Sequence, residues 1–276
     1  GSTYKPFVAL AGLETGVTTP DYVLNDTGVF QLGNHRFRDV TGSPKGRVNL
    51  RRSIAISSDI YYYWLATELG VDRIHEFMKP WGFGQKTGID LVGEQSGILP
   101  NREWKEKRFN TPWYMGDTPP IGIGQGYNAF TLLQLAHATA TLANRGRVMT
   151  PHLVDSITDP VTGKTERVGA RPAGVIKLKK SNVDTVIAVM VDVTSTGTAR
   201  AIFKDAPYKV AGKTGTAQVV SIAQDSRYDE KKLSRQHHDH ALFIAFAPAE
   251  NPKIALAVLV ENGGFGAKAA ALIART

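Results

Sequence analysis

The order of apolar and polar residues divides the chain into a mainly helical part and a β-rich last third. Helix-forming stretches, several of them closed by glycine, predict helices over residues 2–15, 49–56, 60–69, 71–78, 130–144 and 180–193. Runs of β-forming residues predict strands over residues 208–211, 216–221, 241–247 and 254–261. Residues 17–48 hold many turn formers and are predicted to be irregular. Successive strands after a helical block indicate an α+β fold with an antiparallel sheet.

Composition limits the size of the core and the class of partner. With 276 residues, 42% of them hydrophobic, the chain can form one large domain or two small ones. It has no cysteine, which excludes disulfides and thiolate metal sites. The net charge is +8, but the basic residues are scattered, and their densest run, residues 102–108, is interrupted by acidic residues. This favours a solvated surface over a nucleic-acid site, while carboxylate-bearing partners suit the charge.

Ser2 and Lys5 form a Ser-x-x-Lys motif at the start of the first predicted helix. Positions i and i+3 lie on one face of a helix, so the Lys5 amine can reach Ser2 Oγ. A serine hydroxyl needs such a base to become a nucleophile, and the positive end of a helix favours the developing alkoxide. The motif alone occurs by chance in many proteins, so its weight depends on what accompanies it.

Lys213-Thr214-Gly215-Thr216 is predicted to lie on the first strand of the last third. A glycine inside a strand often marks the close approach of a ligand, and an extended peptide can add to a sheet edge. Lys213 would then supply charge, and Thr214 and Thr216 their hydroxyls, to a substrate carboxylate. The alternative is an ordinary exposed strand with a turn glycine, which is the more common case for such a tetrapeptide alone.

Ser57-Ser58-Asp59 places hydroxyls and a carboxylate at a helix boundary. These residues can be simple helix caps, and Asp59 is expected to cap the helix over residues 60–69. They can also act in catalysis, with Ser57 relaying a proton between Lys5 and a leaving group. The charge of Asp59 would hold Lys5 protonated, which opposes the role of Lys5 as a base. The residues alone leave this conflict open.

Histidines give weaker candidates. Residues 237–240 (His-His-Asp-His) have ligand side chains, but a polar run before a strand is more typical of a surface loop, with His240 as a buried cap. His137 lies among apolar residues of a predicted helix and is expected to be a hydrogen-bonded core histidine. A Ser-His-Asp triad ranks low because no serine lies in a Gly-x-Ser-x-Gly elbow.

In chain order, Ser2-x-x-Lys5, Ser57-Ser58-Asp59 and Lys213-Thr214-Gly215 resemble the motifs of penicillin-binding proteins and serine β-lactamases. Residues 116–127, Gly-Asp-Thr-Pro-Pro-Ile-Gly-Ile-Gly-Gln-Gly-Tyr, resemble class B penicillin-binding proteins. Similarity to their elongation-specific penicillin-binding protein 2 subfamily of Gram-negative bacteria extends over essentially the whole chain. It is carried by Arg-Glu-Trp-Lys (102–105), Thr-Pro-Trp-Tyr (111–114), Gly-Lys-Thr-Gly-Thr-Ala-Gln-Val (212–219), Asp-His (239–240) and Phe-Ala-Pro (246–248).

This resemblance implies an antiparallel sheet flanked by helices on both faces, and a D,D-transpeptidase that cross-links peptidoglycan. It assigns Ser2 as the nucleophile on the penultimate D-Ala carbonyl of a stem peptide and Lys5 as the general base. Ser57 and Asp59 would assist proton transfer. The substrate carboxylate would be held by Lys213, Thr214, Gly215 and Thr216, and the oxyanion would lie between the backbone N–H groups of Ser2 and Thr216.

Two departures from the family pattern concern Asp59 and a metal. The family at large has asparagine at the position of Asp59, although aspartate is familiar in this subfamily. Some relatives bind a structural zinc through Asp, Asp, His and Cys, and the matching positions here are Asp26, Asp39, Lys45 and Ser58. Lysine and serine are poor zinc ligands, so no metal is expected. The resemblance implies no other cofactor.

The resemblance also implies partners, a location and an extent. The partners are peptidoglycan stem peptides, β-lactam antibiotics, and a SEDS-family glycosyltransferase with other proteins of the elongation complex; nucleic acid is not among them. The location is the periplasmic face of the inner membrane, with a membrane anchor that is not in this chain. Residues 1–276 are expected to be one transpeptidase domain truncated at both ends, without the helix and strands that precede the nucleophile in this fold.

Two other functions remain as alternatives. A serine β-lactamase would release the drug rapidly, but the chain has no Glu-x-x-Leu-Asn element of the kind that activates water in class A enzymes. A non-catalytic penicillin-sensing domain would be acylated yet would not cross-link stem peptides. Acylation followed over time, together with a cross-linking assay, separates the three.

Overall fold

A computed structural model describes residues 1–39, 42–219 and 234–276 of the chain. The helices are α1 Lys5–Glu14, α2 Leu50–Ala55, α3 Asp59–Leu69, α4 Val71–Met78, α5 Arg102–Phe109, α6 Thr118–Gly122, α7 Leu132–Ala143, α8 Lys180–Ser195, α9 Arg200–Phe203 and α10 Ala270–Arg275. The strands are β1 Val23–Asp26, β2 Val29–Leu32, β3 His35–Arg38, β4 Gly46–Asn49, β5 Arg147–Thr150, β6 Ser156–Thr158, β7 Thr165–Arg167, β8 Arg171–Val175, β9 Ala211–Ala217, β10 His240–Ala247 and β11 Ile254–Val260. Within these ranges, no helix has both the length and the apolar content that a bilayer span requires.

The predicted helices are present, because local capping signals in the sequence set most of their ends. Asn49 accepts a hydrogen bond from the Arg52 amide at the start of α2, and Gly70, with φ of +74°, closes α3. The cap of α3 was predicted wrongly. Its N-cap is Ser58, whose side chain accepts from the Tyr61 amide, while Asp59 is the first residue of the helix.

The first helix lies in the centre of the molecule. A short 3₁₀ turn, Ser2–Tyr4, leads directly into α1. Every residue of α1 from Lys5 to Leu13 is buried, as expected for a helix surrounded on all sides by protein. The start of α1 therefore places Lys5 inside the protein, whereas Ser2 in the preceding turn is half-buried.

The main sheet is antiparallel, with the strand order β11-β10-β9. All residues of β10 from Ala241 to Phe246 are buried, and α7, α8 and α10 contact the sheet. Both faces of the sheet are therefore covered, in agreement with the predicted fold class.

The bounds of β9 differ from the prediction. One strand, Ala211–Ala217, replaces the predicted runs at residues 208–211 and 216–221; residues 220 and 221 lie outside the described ranges. Gly212 and Gly215 account for the difference, because glycine lowers strand propensity and breaks the pattern of side chains. Pairing with β10, for example Gly215 with Leu242, makes this segment a strand.

Residues 17–48 are more regular than predicted. Strand β1 pairs with β4, and β2 pairs with β3 as an antiparallel hairpin. Each of these strands has only four residues, too few to produce a clear alternation of apolar and polar positions. The small sheets β5-β8 and β6-β7 were also not predicted. Tyr61 and Tyr62 of α3 are fully buried in the core.

Candidate active site

Lys5 connects the central helix to the turn between α2 and α3. Its Nζ donates to Asp59 Oδ1 at 2.5 Å, to Ser57 O at 3.0 Å and to Ser57 Oγ at 3.1 Å. The side chain is 0% exposed. Among the hydrogen bonds of the described residues, none joins Lys5 to the Ser2 hydroxyl, although the motif spacing predicted that bond. The lysine instead bonds to the turn between α2 and α3.

Ser57 occupies a strained turn. Its φ of +57° lies in the left-handed region, which costs a residue with a Cβ roughly 1–3 kcal/mol. Both Lys5 Nζ, at 3.1 Å, and Lys213 Nζ, at 2.9 Å, lie within hydrogen-bond distance of Ser57 Oγ. A hydroxyl has two lone pairs and one proton. When both amines donate, the Ser57 proton remains available for a third group.

Lys213 extends from the middle of β9 toward this turn and is 0% exposed. Besides Ser57, its Nζ donates to the carbonyl of Thr214 at 2.9 Å. Side chains alternate along a strand, so Thr214 and Thr216 share the face opposite to Lys213. The Thr214 hydroxyl lies 2.8 Å from that of Thr198. The lysine charge is thus directed at the Ser57 hydroxyl, while the threonines occupy the other face.

The glycine of this motif brings β9 close to the turn that carries Ser2. A Cβ on Gly215 would lie 2.8 Å from Thr3 Cγ2 and 3.2 Å from the Thr3 amide nitrogen. The close approach predicted from Gly215 is therefore made by the chain's own 3₁₀ turn. Because Thr3 follows Ser2, this contact sets the distance between the nucleophile candidate and the strand.

The glycine-rich segment after α6 contacts the same turn. A Cβ on Gly124 would lie 2.5 Å from the carbonyl oxygen of Gly1 and 2.8 Å from Tyr4 Cβ. Next to it, Gln125 Nε2 donates to the carbonyl of Thr216 at 3.3 Å. The contacts of this loop are therefore the turn at Ser2 and the end of β9.

Burial controls the protonation of both lysines. It lowers the pKa of Lys5 from the usual 10.5, and the Asp59 carboxylate opposes this effect without reversing it. The pKa of Lys213 lies well below 10.5, first because of burial and second because of the nearby charge of Lys5. Of the two opposing effects on the pKa of Lys5, desolvation is the larger. Lower pKa values increase the neutral, proton-accepting fraction of each amine at neutral pH.

The four residues at the positions of the family's zinc ligands do lie together. Ser58 Oγ donates to Asp26 Oδ2 at 2.5 Å, and Lys45 Nζ forms an ion pair with Asp39. Within the described ranges, no three His, Cys, Asp or Glu side chains form a group able to hold a metal. An ammonium has no lone pair to offer, so this set does not fit zinc and the cation facing Asp39 is Lys45 itself.

The histidine candidates have structural contacts. His237 lies in a 3₁₀ turn and is exposed, whereas Asp239 is buried, so the surface-loop prediction holds for only part of the run. His240 Nδ1 accepts from the Asn262 amide at 2.9 Å. His137 is half-buried, and its Nε2 lies 2.9 Å from the carbonyl of Met149. Its Nδ1 has no partner within the described part of the chain, so it is only partly satisfied.

Sequence reasoning missed residues that support the site from a distance. Thr198 faces Thr214, and Lys45 with Asp39 supports the turn at Ser57. No local pattern marks Thr198, because its partner Thr214 lies 16 positions away in the chain. Asp39 and Lys45 were named only as zinc-ligand positions, and their ion pair was not predicted. Gln125 was not singled out either, although it lies between Gly124 and Gly126.

The sequence matches known proteins along its full length. The family described as "Penicillin binding protein transpeptidase domain" matches residues 1–276. The peptidoglycan D,D-transpeptidase MrdA of Haemophilus influenzae is 42% identical over 282 residues, covering 99% of this chain and 42% of that protein. The chain thus spans about two fifths of the length of this curated relative.

Solved structures are similar over the same extent. PBP2 of Pseudomonas aeruginosa, in complex with WCK 5153, has a TM-score of 0.85 and 43% identity, covering 99% of this chain and 58% of that one. PBP2 of Helicobacter pylori, in a complex with MreC, has a TM-score of 0.83 and 31% identity, covering 100% of this chain and 48% of that one.

Proposed function

Because the chain belongs to the penicillin-binding protein transpeptidase domain family, we propose that residues 1–276 are the catalytic domain of a peptidoglycan D,D-transpeptidase of cell elongation. The observation that carries this proposal is the placement of two buried lysine amines, Lys5 and Lys213, on one serine hydroxyl, that of Ser57, beside the turn of Ser2. Such a proton network is what acyl transfer by a serine nucleophile requires.

In the first half-reaction, Ser2 Oγ attacks the penultimate D-Ala carbonyl of a donor stem peptide. Lys5, as the neutral amine, accepts the Ser2 proton. The bond from Oγ to the carbonyl carbon forms, and the bond from that carbon to the terminal D-Ala nitrogen breaks. Ser57 passes a proton to this nitrogen and is replenished from the lysines that contact it. The products are free D-Ala and an ester on Ser2.

Asp59 assists by fixing Lys5. Its Oδ1 accepts from Lys5 Nζ at 2.5 Å and stabilises the ammonium that forms when Lys5 takes the Ser2 proton. Burial lowers the pKa of Lys5, and the Asp59 carboxylate opposes that effect. The amine can thus accept and return a proton within one cycle.

Substrate binding falls to β9, the edge strand beside Ser2 in the described sheet. An extended stem peptide lies along this edge, which Gly215 keeps close to the 3₁₀ turn. Thr214 and Thr216 offer hydroxyls to the substrate carboxylate, and Lys213 adds positive charge from inside the protein. The oxyanion lies between the backbone N–H groups of Ser2 and Thr216; one such donor typically contributes about 3–4 kcal/mol to catalysis.

In the second half-reaction, the amine of an acceptor stem peptide attacks the ester, forms the cross-link and releases Ser2. β-Lactams acylate the same serine. The domain works at the periplasmic face of the inner membrane, in a protein held there by an anchor. Its partners are elongation-complex proteins, including a SEDS-family glycosyltransferase; the complex of the similar Helicobacter pylori PBP2 with MreC supports a partner of that kind.

A fluorescent penicillin tests the proposal directly. Mass spectrometry of the digested adduct should place the label on the peptide that contains Ser2, and the adduct should be long-lived. Rapid release of the drug would instead indicate a serine β-lactamase. A donor stem peptide and an acceptor amine should yield free D-Ala and a cross-linked product. Labelling without cross-linking would indicate a sensor, and no labelling of the folded chain would refute acyl transfer.

A further inference from the structure

Four side chains from separate segments meet beside the turn that carries Ser57. Asp26 ends β1, Asp39 follows β3, Lys45 precedes β4, and Ser58 caps α3. Asp26, Asp39 and Ser58 are almost fully buried, and the Lys45 side chain is only 17% exposed. Polar groups at this depth require partners. The hydrogen bonds and ion pairs among them form two chains of contacts, here called lines, that end on the Ser57 turn.

The first line runs from Lys45 to Asp59. Lys45 Nζ forms an ion pair with Asp39 Oδ2, and the same oxygen accepts from the Asp59 amide at 3.2 Å. The second line runs from Asp26 to Ser58, through the 2.5 Å bond between Asp26 Oδ2 and Ser58 Oγ. The lines are joined where the Lys45 amide donates to the carbonyl of Asp26 at 3.0 Å. They therefore hold Ser58 and Asp59, the two residues that follow Ser57.

Ser57 requires this support because of its backbone conformation. A serine with φ in the left-handed region persists only where the surrounding structure fixes that conformation. The hydroxyl of this residue must meet Lys5 and Lys213 at the same time. Small displacements of a group in a proton-transfer network have large effects on rate.

We propose that Lys45 is a positioning residue, whose ammonium cross-links the β1–β4 region to the Ser57 turn and so places the Ser57 hydroxyl and the Asp59 carboxylate for acyl transfer. The cross-link is made by a side-chain cation. Lys45 forms its ion pair with Asp39, while Asp26 is served by the Ser58 hydroxyl and by the amide of Gly28 at 2.8 Å.

The inference rests on the proposed function, so its test starts from a wild-type chain that is labelled by fluorescent penicillin. In Lys45→Met the side chain keeps an unbranched apolar stem and loses the terminal ammonium. We expect its acylation rate constant to fall about 100-fold. A loss of this size is typical when a catalytic group is displaced by roughly 1 Å. The final labelled fraction should stay unchanged. Lys180→Met is the matched control. It removes the same charge from an ion pair with Asp184, but the Lys180 side chain is 83% exposed.

Rate and labelled fraction distinguish positioning from simple stability. If Lys45 only stabilised the fold, Lys45→Met would reduce the fraction of chains that can be labelled, while the folded remainder reacted at the wild-type rate. That outcome, or a rate equal to that of Lys180→Met, would overturn the inference. An unlabelled wild-type chain would instead refute the proposed function.

A second variant keeps the test decisive if Lys45→Met does not fold. The Lys45→His/Ser58→Cys double variant offers Asp26, Asp39, an imidazole and a thiolate to a single metal, a donor set that suits tetrahedral zinc. We expect one zinc per chain by elemental analysis, whereas the wild-type chain takes up none at these positions. The zinc-loaded form should be acylated at least about tenfold faster than the same variant after chelation. Changes in activity of this size are typical when groups that support a metal site are lost. Absence of bound zinc, or equal rates with and without it, would contradict the proposed cross-link.

Discussion

Lys213 Nζ lies 2.9 Å from Ser57 Oγ, although the two residues are 156 positions apart in the sequence. The contact joins the middle of a buried strand to a turn between two helices, and it brings a second amine onto the hydroxyl that Lys5 already contacts. Lys213 is fully buried, so both amines act on this hydroxyl from inside the protein.

Ser2→Ala should abolish covalent labelling by penicillin and leave non-covalent binding largely intact. The substitution removes the nucleophilic oxygen, while the half-buried turn keeps its backbone. Labelling followed by gel fluorescence measures the first effect, and competition with a reversible ligand measures the second. Ser195→Ala provides a control, because its exposed hydroxyl donates to the carbonyl of Val191 within α8. Persistent labelling of Ser2→Ala at the wild-type rate would assign the nucleophile elsewhere.

Lys213→Ala should slow acylation by at least about 100-fold, the usual contribution of a group engaged in proton transfer. It removes one of the two amines on the Ser57 hydroxyl and the positive charge beneath the substrate carboxylate. The loss should be greatest for substrates that bear a carboxylate. Lys209→Ala serves as the control, since that lysine is 68% exposed and pairs with Glu250. An unchanged acylation rate would exclude Lys213 from the site.

Gly215→Ala should slow acylation and lower stability, because the added methyl group would lie 2.8 Å from Thr3 Cγ2. The strand and the Ser2 turn must then separate. Overpacking of this kind typically lowers the free energy of unfolding by about 1–3 kcal/mol. Denaturant unfolding and acylation kinetics measure the two effects. Gly169→Ala is the matched control, since a Cβ at that position meets nothing within 4 Å. If both variants behaved alike, the close packing of β9 on the turn would not matter for function.

The acylation rate should rise with pH and level off below the usual lysine value of 10.5. Burial lowers the pKa of Lys5, so the folded protein reaches the neutral amine at a lower pH than an exposed lysine does. Neutral Lys5 is the base, and therefore the rate increases as pH passes upward through the lowered pKa. Stopped-flow labelling across a pH series measures this dependence.

Lys5→Arg provides the comparison for this pH profile, since a guanidinium remains protonated throughout the range. The variant should lose the rise and react about 100-fold or more slowly. Lys180→Arg, at an exposed position, should retain the wild-type profile. A Lys5→Arg profile that still rose with the same midpoint would assign the titration to another group.

The sequence by itself determined helices α1–α4, α7 and α8, because helix ends depend on nearby residues such as Asn49 and Gly70. It did not predict α5, α6 and α9. It also determined which residues are chemically suited to acyl transfer, through three motifs whose order matched a known family. It was less informative where glycines interrupted the pattern, as in β9, and where strands were only four residues long, as in β1–β4.

Only the tertiary structure decided how the chemically competent residues meet. Lys5 contacts Ser57 and Asp59 instead of Ser2, and Lys213 is buried on Ser57. Whether Lys5 can act as a base depends on two opposing effects on its pKa, desolvation and the charge of Asp59, and both arise only once the chain has folded. The same holds for Lys45 and Asp39, because their ion pair depends on strand pairings that no local pattern reveals. Local sequence specifies local conformation and residue chemistry, whereas distances and pKa values arise from contacts between distant segments.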